Sequence, residues 1–330
     1  MARILKWPFF LLCLLAIPVI QFSPTTPQAL SAGDASFSAK RARFAVKVNH
    51  DVIPYRVTGV FVLPGERITL QALVASKGAP ATLRAAGGTA INLAPNLWQW
   101  RAPQKPGLYP VQVSRPSLKD SVTLNIFVMV SAMRLQRGWL NGYRIGPYPP
   151  QPLRRVSVSG QPRGFIEVTK KNEETLIAPH FTLKQFLCKQ TASYPKYIVL
   201  KEHLLWKLEA ILEKANRRGH RCNTLHIMSG YRTPHYNRSI GNVKHSRHMW
   251  GDAADIFIDA HPQDGRMDDL NRDGIVDIRD AAVLYEIIDD LQRSSSFPSL
   301  IGGLARYRGT PAHGPFVHVD VRGHLARWSH

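Results

Sequence analysis

Two periods of hydrophobic and polar residues divide this chain. From about residue 42 to 130 the period is two: Ile68, Leu70 and Ala72 alternate with Arg67, Thr69 and Gln71, and Val122, Leu124, Ile126 and Val128 alternate with smaller or more polar positions. Side chains in a strand point alternately to opposite faces, so this pattern predicts strands with one buried face each. Pro64-Gly65, Gly87-Gly88 and Lys105-Pro106-Gly107 supply turns between the runs. Several short strands at that spacing predict an antiparallel β-sandwich. Trp98 and Trp100 share a strand face and are expected between the sheets.

Residues 131–174 read as a connector, because Gly138, Gly142, Gly146, Pro147, Pro149, Pro150 and Pro152 interrupt any long element. The period then becomes helical. Thr182 with Gln185 three residues later has the form of a capping box opening a short helix through Phe186 and Leu187. A longer helix over about 199–217 places Leu204, Leu208, Ile211 and Ala215 on one face and ends near Gly219. Its charged residues, Lys207, Lys214 and Arg217 among them, are expected to face solvent. Leu225–Met228 reads as a buried strand, and 281–291 as an amphipathic helix.

At the N-terminus a short basic region, Met1–Lys6, precedes fourteen apolar residues from Trp7 to Ile20 that include Pro8 and Pro18. A spanning helix needs about 20 residues, so residues 1–32 are expected to be an export signal ending near Ala32, with an uncleaved membrane anchor as the alternative. Export leaves Cys188 and Cys222, for which a disulfide and two buried thiols are both open.

With 44% hydrophobic residues the 330-residue chain has material for two cores, and the disordered classes are excluded. A formal charge of +20 points to polyanionic surroundings. It is unevenly spread: residues 201–250 carry ten Lys/Arg against three acids, and 251–290 carry twelve acids against three Arg. That acidic block, and the lack of any helix-turn-helix, zinc-finger or aromatic RNA-binding signature, argue against nucleic acid as partner. An anionic cell envelope fits the charge and the export signal.

The candidate chemistry is concentrated in Ser246-Arg247-His248-Met249-Trp250-Gly251-Asp252-Ala253-Ala254-Asp255, preceded by Ser229-Gly230-Tyr231-Arg232-Thr233-Pro234 and followed much later by Phe316-Val317-His318-Val319-Asp320. Two imidazoles and one carboxylate can hold Zn²⁺ and leave a position open for water, which is the donor set of a hydrolase. These motifs resemble the zinc D-Ala-D-Ala peptidases of the M15 family over about residues 175–325, and the strand pattern of residues 42–130 resembles bacterial immunoglobulin-like (Ig-like) β-sandwich domains. The M15 resemblance implies an α+β domain with an antiparallel sheet, zinc as cofactor and peptidoglycan peptides as substrate. By the same resemblance His248, Asp255 and His318 are the zinc ligands, and Arg232 binds substrate and the polarised carbonyl.

Ser246 is expected beside the ligands or the substrate. Asp320, two residues from His318 on one strand face, is expected to hydrogen-bond a ligand histidine. Some branches of the family place a glutamate base three residues before the last histidine. Here that position is Pro315, and by the same resemblance His313, five residues before His318, matches the histidine of the carboxypeptidase branch and is the candidate base.

A second pattern, Asp269-x-Asn271-x-Asp273-Gly274-Ile275-x-Asp277-x-x-Asp280, resembles dockerin-type and EF-hand-like loops and predicts Ca²⁺, with Ile275 contributing its carbonyl. Two functions follow. One is a DD-carboxypeptidase or DD-endopeptidase of the cell wall. The other is a non-catalytic envelope protein that keeps the metal fold.

Overall fold

The alternation in the first third of the chain forms nine strands: β1 (Arg41–Val48), β2 (Asp51–Tyr55), β3 (Val57–Val62), β4 (Arg67–Leu73), β5 (Thr82–Ala85), β6 (Thr89–Ala94), β7 (Leu97–Arg101), β8 (Gly107–Arg115) and β9 (Asp120–Val128). The computed structural model describes residues 37–74, 79–150, 160–294 and 300–330. The expected export segment, residues 1–32, lies outside them. The strands join into two sheets, ordered β2-β1-β4-β7-β6 and β3-β9-β8-β5. Val46, Leu70 and Trp100 of the first sheet and Val111, Leu124 and Ile126 of the second bury themselves in one shared core. Trp98 and Trp100 are both in it, as their spacing predicts.

The all-antiparallel expectation needs one correction here, because β3 and β9 run parallel from Val57 opposite Thr123 to Val62 opposite Val128. The cause is local. Only Arg56 separates β2 from β3, so one extended run leaves the first sheet and enters the second without a hairpin to reverse it.

Residues 131–174 are more than a connector where they are described. After β10 (Val130–Ser131) come a hairpin of β11 (Trp139–Leu140) and β12 (Tyr143–Arg144), then β13 (Gly164–Val168), a hairpin of β14 (Leu176–Ala178) and β15 (Phe181–Thr182), and β16 (Lys196–Ile198). β13 pairs with both β10 and β16. Val130, Leu140, Tyr143, Ile145, Phe165 and Tyr197 form a small core of their own. The glycines that suggested a linker punctuate tight turns: Gly138, Gly142 and Gly146 all have φ of +81°.

The last part is a mixed α and β arrangement. Helix α1 (Glu202–Arg217) is followed by β17 (His226–Ser229), α2 (Pro234–Ser239), β18 (Ala253–Phe257), α3 (Ile278–Ser294), β19 (Gly303–Tyr307), β20 (Phe316–Asp320) and β21 (Ala326–Ser329). The sheet order is β17-β18-β20-β19-β21, antiparallel except for the β19–β21 pair. The short element opened by Thr182 is a single 3₁₀ turn, Leu183–Phe186, and the Thr182 N–H donates to Gln185 Oε1 at 2.8 Å. Leu204, Leu208, Ile211 and Ala215 of α1 pack with Leu284 and Ile288 of α3 over Ile256, Val317 and Val319 of the sheet.

The solvated face expected for α1 is found only in part: Arg217 is exposed and Lys214 half-buried, but other charged residues of the helix are enclosed. Lys207 is fully buried and donates to the Asp320 carbonyl at 2.6 Å. Glu209 accepts from the His180 N–H at 2.8 Å, and Glu213 pairs with Arg41 at 2.9 Å. The helix touches β3, β14 and α3, so it has neighbours on several sides. Polar groups facing those neighbours must be partnered inside the protein instead of by water. Cys188 and Cys222 are buried free thiols. Among the described residues no helix is long and apolar enough to cross a membrane.

Candidate metal centre

Strand register builds the site. β18 and β20 pair so that Asp255 lies directly opposite His318, and β17 places Ser229 opposite Asp255 on the other side. Two of the three candidate ligands are therefore cross-strand neighbours, held by the backbone ladder itself. The third arrives from a 3₁₀ turn, Arg247–Trp250, that ends at Gly251 with φ of +67°. A Cβ at Gly251 would stand 2.1 Å from the Val199 carbonyl, so only glycine lets this turn close against its neighbour. Ser246 begins the turn, buried, and its carbonyl accepts the Met249 N–H at 3.1 Å.

The three side chains meet. His318 Nδ1 is 2.8 Å from Asp255 Oδ1, His248 Nε2 is 3.2 Å from the same oxygen, and the two imidazole nitrogens are 3.3 Å apart. Among the described residues this is the one place where three such ligand atoms, all within 4.8 Å of one another, can share an ion. The remaining ring nitrogens are committed elsewhere, which fixes what each ring offers. His248 Nδ1–H donates to the Gly230 carbonyl at 2.7 Å, leaving the Nε2 lone pair free. His318 Nε2 faces Asp320 Oδ2 at 3.5 Å, leaving Nδ1 for the centre. Two neutral imidazoles and a carboxylate, each backed by a second polar group, fit Zn²⁺ well.

The electrostatics set the two rings apart when no metal is bound. Burial lowers the pKa of His248 and keeps it neutral. Burial also opposes ionisation of Asp255, but His248 and His318 outweigh it and hold its carboxyl well below the usual range. His318 is raised despite burial, because Asp255 and Asp320 flank it. A metal would displace the Nδ1 proton that His318 shares with Asp255.

Arg232 stands beside this centre. Its Nη2 bonds Asp255 Oδ2 at 2.5 Å and its Nε donates to Ser229 Oγ at 2.8 Å. Asp320 is where its spacing predicted, fully buried behind His318, and it accepts from the Gly303 N–H at 2.7 Å and from Arg322 Nη2 at 2.5 Å. Sequence reasoning missed that support: Arg322, Gly303 and the buried Lys207 carry no motif. It also missed Trp328, whose ring centre is 5.4 Å from that of His318 and whose Nε1–H donates to Tyr307 Oη at 2.8 Å. Ala305, between His318 and Trp328 in the sheet register, is the small residue separating them.

Arg232, Ser229 and His313 line one cavity of about 340 Å³, together with Met228, Tyr236 and Phe257. His313 Nδ1–H donates to the Gly314 carbonyl at 2.9 Å, and its ring meets Phe316 edge-on at 5.1 Å. This bond fixes the tautomer that leaves Nε2 as an acceptor.

The Asp269–Asp280 loop forms, but its donors are spent within the protein. Asp280 is buried and accepts from the Leu270 N–H at 2.7 Å and the Asp277 N–H at 2.8 Å. Arg279 bridges Asp273 at 2.7 Å and Asp277 at 2.9 Å. The Asp273 N–H donates to Asn271 Oδ1 at 2.9 Å, the Gly274 N–H donates to Asp269 at 2.7 Å, and Ile275 is exposed. A guanidinium thus sits among the carboxylates, and the expectation of calcium has no converging set of acidic ligands behind it among the described residues.

Residues 179–273 match the family model described as Peptidase M15, so the C-terminal region carries an M15 family peptidase domain. The match includes Arg232, His248 and Asp255. His313 and His318 lie beyond it, and the sheet register brings His318 to the other two ligands. No curated protein matches the chain.

Proposed function

We propose that this chain, with an M15 metallopeptidase domain as its C-terminal part, is a zinc-dependent hydrolase of D-amino-acid-containing bonds in peptidoglycan peptides. It acts as a DD-carboxypeptidase or DD-endopeptidase in the cell envelope. The observation that carries this reading is the convergence of His248, Asp255 and His318 beside a cavity lined by Arg232 and His313. A bound Zn²⁺ would supply Lewis acidity, lowering the pKa of a water molecule to about 7 and polarising the scissile carbonyl.

The chain's own residues divide the remaining work. Asp255 is oriented by Arg232, and Arg232 is in turn held by Ser229. The Arg232 guanidinium also lines the cavity, where it is placed to bind a substrate oxygen that becomes more negative in the transition state. His313 accepts a proton at Nε2 from the attacking water and returns it to the leaving amine. Asp320 keeps His318 in the tautomer that offers Nδ1. The formal charge of +20 favours residence against an anionic wall, in keeping with export through residues 1–32.

Purified peptidoglycan incubated with zinc-loaded wild type, and products weighed by mass spectrometry, tests the reading. Loss of one terminal alanine identifies a carboxypeptidase, and separation of crosslinked dimers an endopeptidase. His248→Ala is expected to abolish both zinc retention and cleavage. His313→Gln is expected to keep zinc while turnover falls roughly 10²- to 10⁴-fold. Unchanged muropeptides with a fully zinc-loaded wild type refute the enzyme and favour a non-catalytic wall-binding protein.

A further inference from the structure

The cavity beside the metal centre is also lined further along β17 and β18, at the register partners His226 and Phe257. Besides Arg232 and Ser229 it is lined by His226, Lys189 and Arg266, and no acidic residue lines it. Arg232 is committed to Asp255, whereas neither Lys189 nor Arg266 has an ion-pair partner among the described residues. His226 stacks on Phe257 with ring centres 4.3 Å apart, and the two residues are register partners across β17 and β18. Phe257 is two residues beyond Asp255 on its strand, which puts this part about 7 Å from the metal row.

One buried carboxylate organises this part. Asp259 Oδ2 accepts from His226 Nδ1 at 3.2 Å and from the Gly265 N–H at 3.0 Å, while its Oδ1 accepts from the Asp264 N–H at 2.9 Å. It therefore orients the imidazole, with Nδ1–H committed, and at the same time fixes the turn that carries Arg266. Asp259 is 8% exposed, so this arrangement is built into the fold.

We propose that His226, Arg266 and Lys189 form a carboxylate-binding subsite of the peptidase cleft. It takes a free carboxylate on the second residue from the scissile bond, with Asp259 as positioning residue. The proposal rests on the peptidase reading for its substrate class. Two residues of extended peptide cover about 7 Å, the separation of this part from the metal row. A carboxypeptidase has only one residue beyond the cleaved bond, so the second residue lies on the acyl side. In a stem pentapeptide ending in D-Ala-D-Ala that is the third residue. The cations supply charge, and Met228, Tyr236 and Phe257 supply apolar wall.

The test is binding of two fluorescently labelled stem pentapeptides to the zinc-loaded full chain. One carries a free side-chain carboxylate on its third residue and the other is its amide. Wild type is expected to bind the acid roughly five- to tenfold more tightly, the sum of three exposed contacts each within the usual range for such pairs. Arg266→Gln and His226→Gln are each expected to reduce that preference to roughly three- to fivefold, the residual left by the other two groups. Lys189→Gln, on an exposed side chain that no packing depends on, guards against misfolded variants and is also expected to reduce it. Equal affinity of wild type for the two peptides, or a preference that survives all three substitutions, overturns the subsite. If wild type prefers the acid yet cleaves neither peptide, the peptidase reading falls and the subsite stands.

Discussion

Replacing Asp320 by asparagine changes one atom and tests whether the metal centre depends on the residue behind it. Asp320 Oδ1 accepts two backbone N–H groups, from Gly303 at 2.7 Å and Arg322 at 3.1 Å, while Oδ2 faces Arg322 Nη2 at 2.5 Å and His318 Nε2 at 3.5 Å. Asparagine can keep the first pair through its carbonyl. Its NH₂ then faces two donors. The His318 ring can relieve its half of that conflict only by moving its proton from Nε2 to Nδ1, the atom that faces Asp255 and His248. The substitution therefore blocks a ligand position without touching a ligand.

Loss of such a supporting group costs about 10- to 100-fold in metal affinity. That corresponds to roughly 1.4–2.7 kcal/mol. Zinc competition against a chelator of known affinity measures it, and thermal unfolding of both proteins separates an altered site from a lost fold. Arg322→Gln is the control, since it removes a cation and leaves the carboxylate to orient the ring; its zinc affinity is expected to stay within about threefold of wild type. An Asp320→Asn protein that binds zinc as tightly as wild type refutes the role assigned to Asp320.

Gly251→Ala forces a Cβ to within 2.1 Å of the Val199 carbonyl at a φ of +67°, and urea unfolding is expected to show a loss of about 2–5 kcal/mol; a loss below 1 kcal/mol contradicts the turn geometry. Burial lowers Lys207 from 10.5 to about 7, so on raising the pH the folded state releases this proton before the unfolded chain does. Wild type should therefore gain on Lys207→Met by at most about 1.4 kcal/mol per pH unit between about 7 and 10.5, and parallel stability curves would exclude a buried, destabilised ammonium. Trp206→Phe removes the Nε1–H donated to Thr58 Oγ1 at 3.1 Å, and a loss of about 1 kcal/mol in the same assay is expected; Trp206→Phe combined with Thr58→Val should lose little more than Trp206→Phe alone.

Much of the centre was readable before any geometry. The spacing of His248 and Asp255 across a glycine turn carries its own physical logic, and the two-residue step from His318 to Asp320 places the second behind the first on one strand face. Strand alternation at Ile68–Ala72 was equally legible, because one face of that strand is buried, whereas at Val122–Val128 the alternate side is covered too, with Asn125 and Phe127 buried. The failures have a common cause. Lys207, Glu209 and Glu213 lie on a helix whose own pattern is amphipathic, and nothing local tells the chain that β3, β14 and α3 will cover the polar side. The glycines of residues 138–146 signal chain reversal, and reversal serves a packed hairpin as well as a linker. In the acidic loop, residue types at ligand spacing cannot reveal that Arg279 will lie between Asp273 and Asp277.

The polar residues of α1 give the two N-terminal sheets a physical connection to the metal centre. Trp206 donates to Thr58 of β3, and Glu202 accepts the Phe61 N–H of the same strand at 3.0 Å. One residue beyond Trp206, Lys207 donates to the carbonyl of Asp320, whose side chain faces His318. Each link is a hydrogen bond or ion pair with at least one buried or half-buried partner, where an unpaired group costs about 1–3 kcal/mol. A helix held at Thr58 and Phe61 therefore has little freedom to move Lys207 away from Asp320. Strand β3 thus holds the helix that supports the C-terminal sheet, and that sheet places Asp255 and His318. A freely tethered spacer would leave Trp206, Glu202 and Glu213 without the partners they have here.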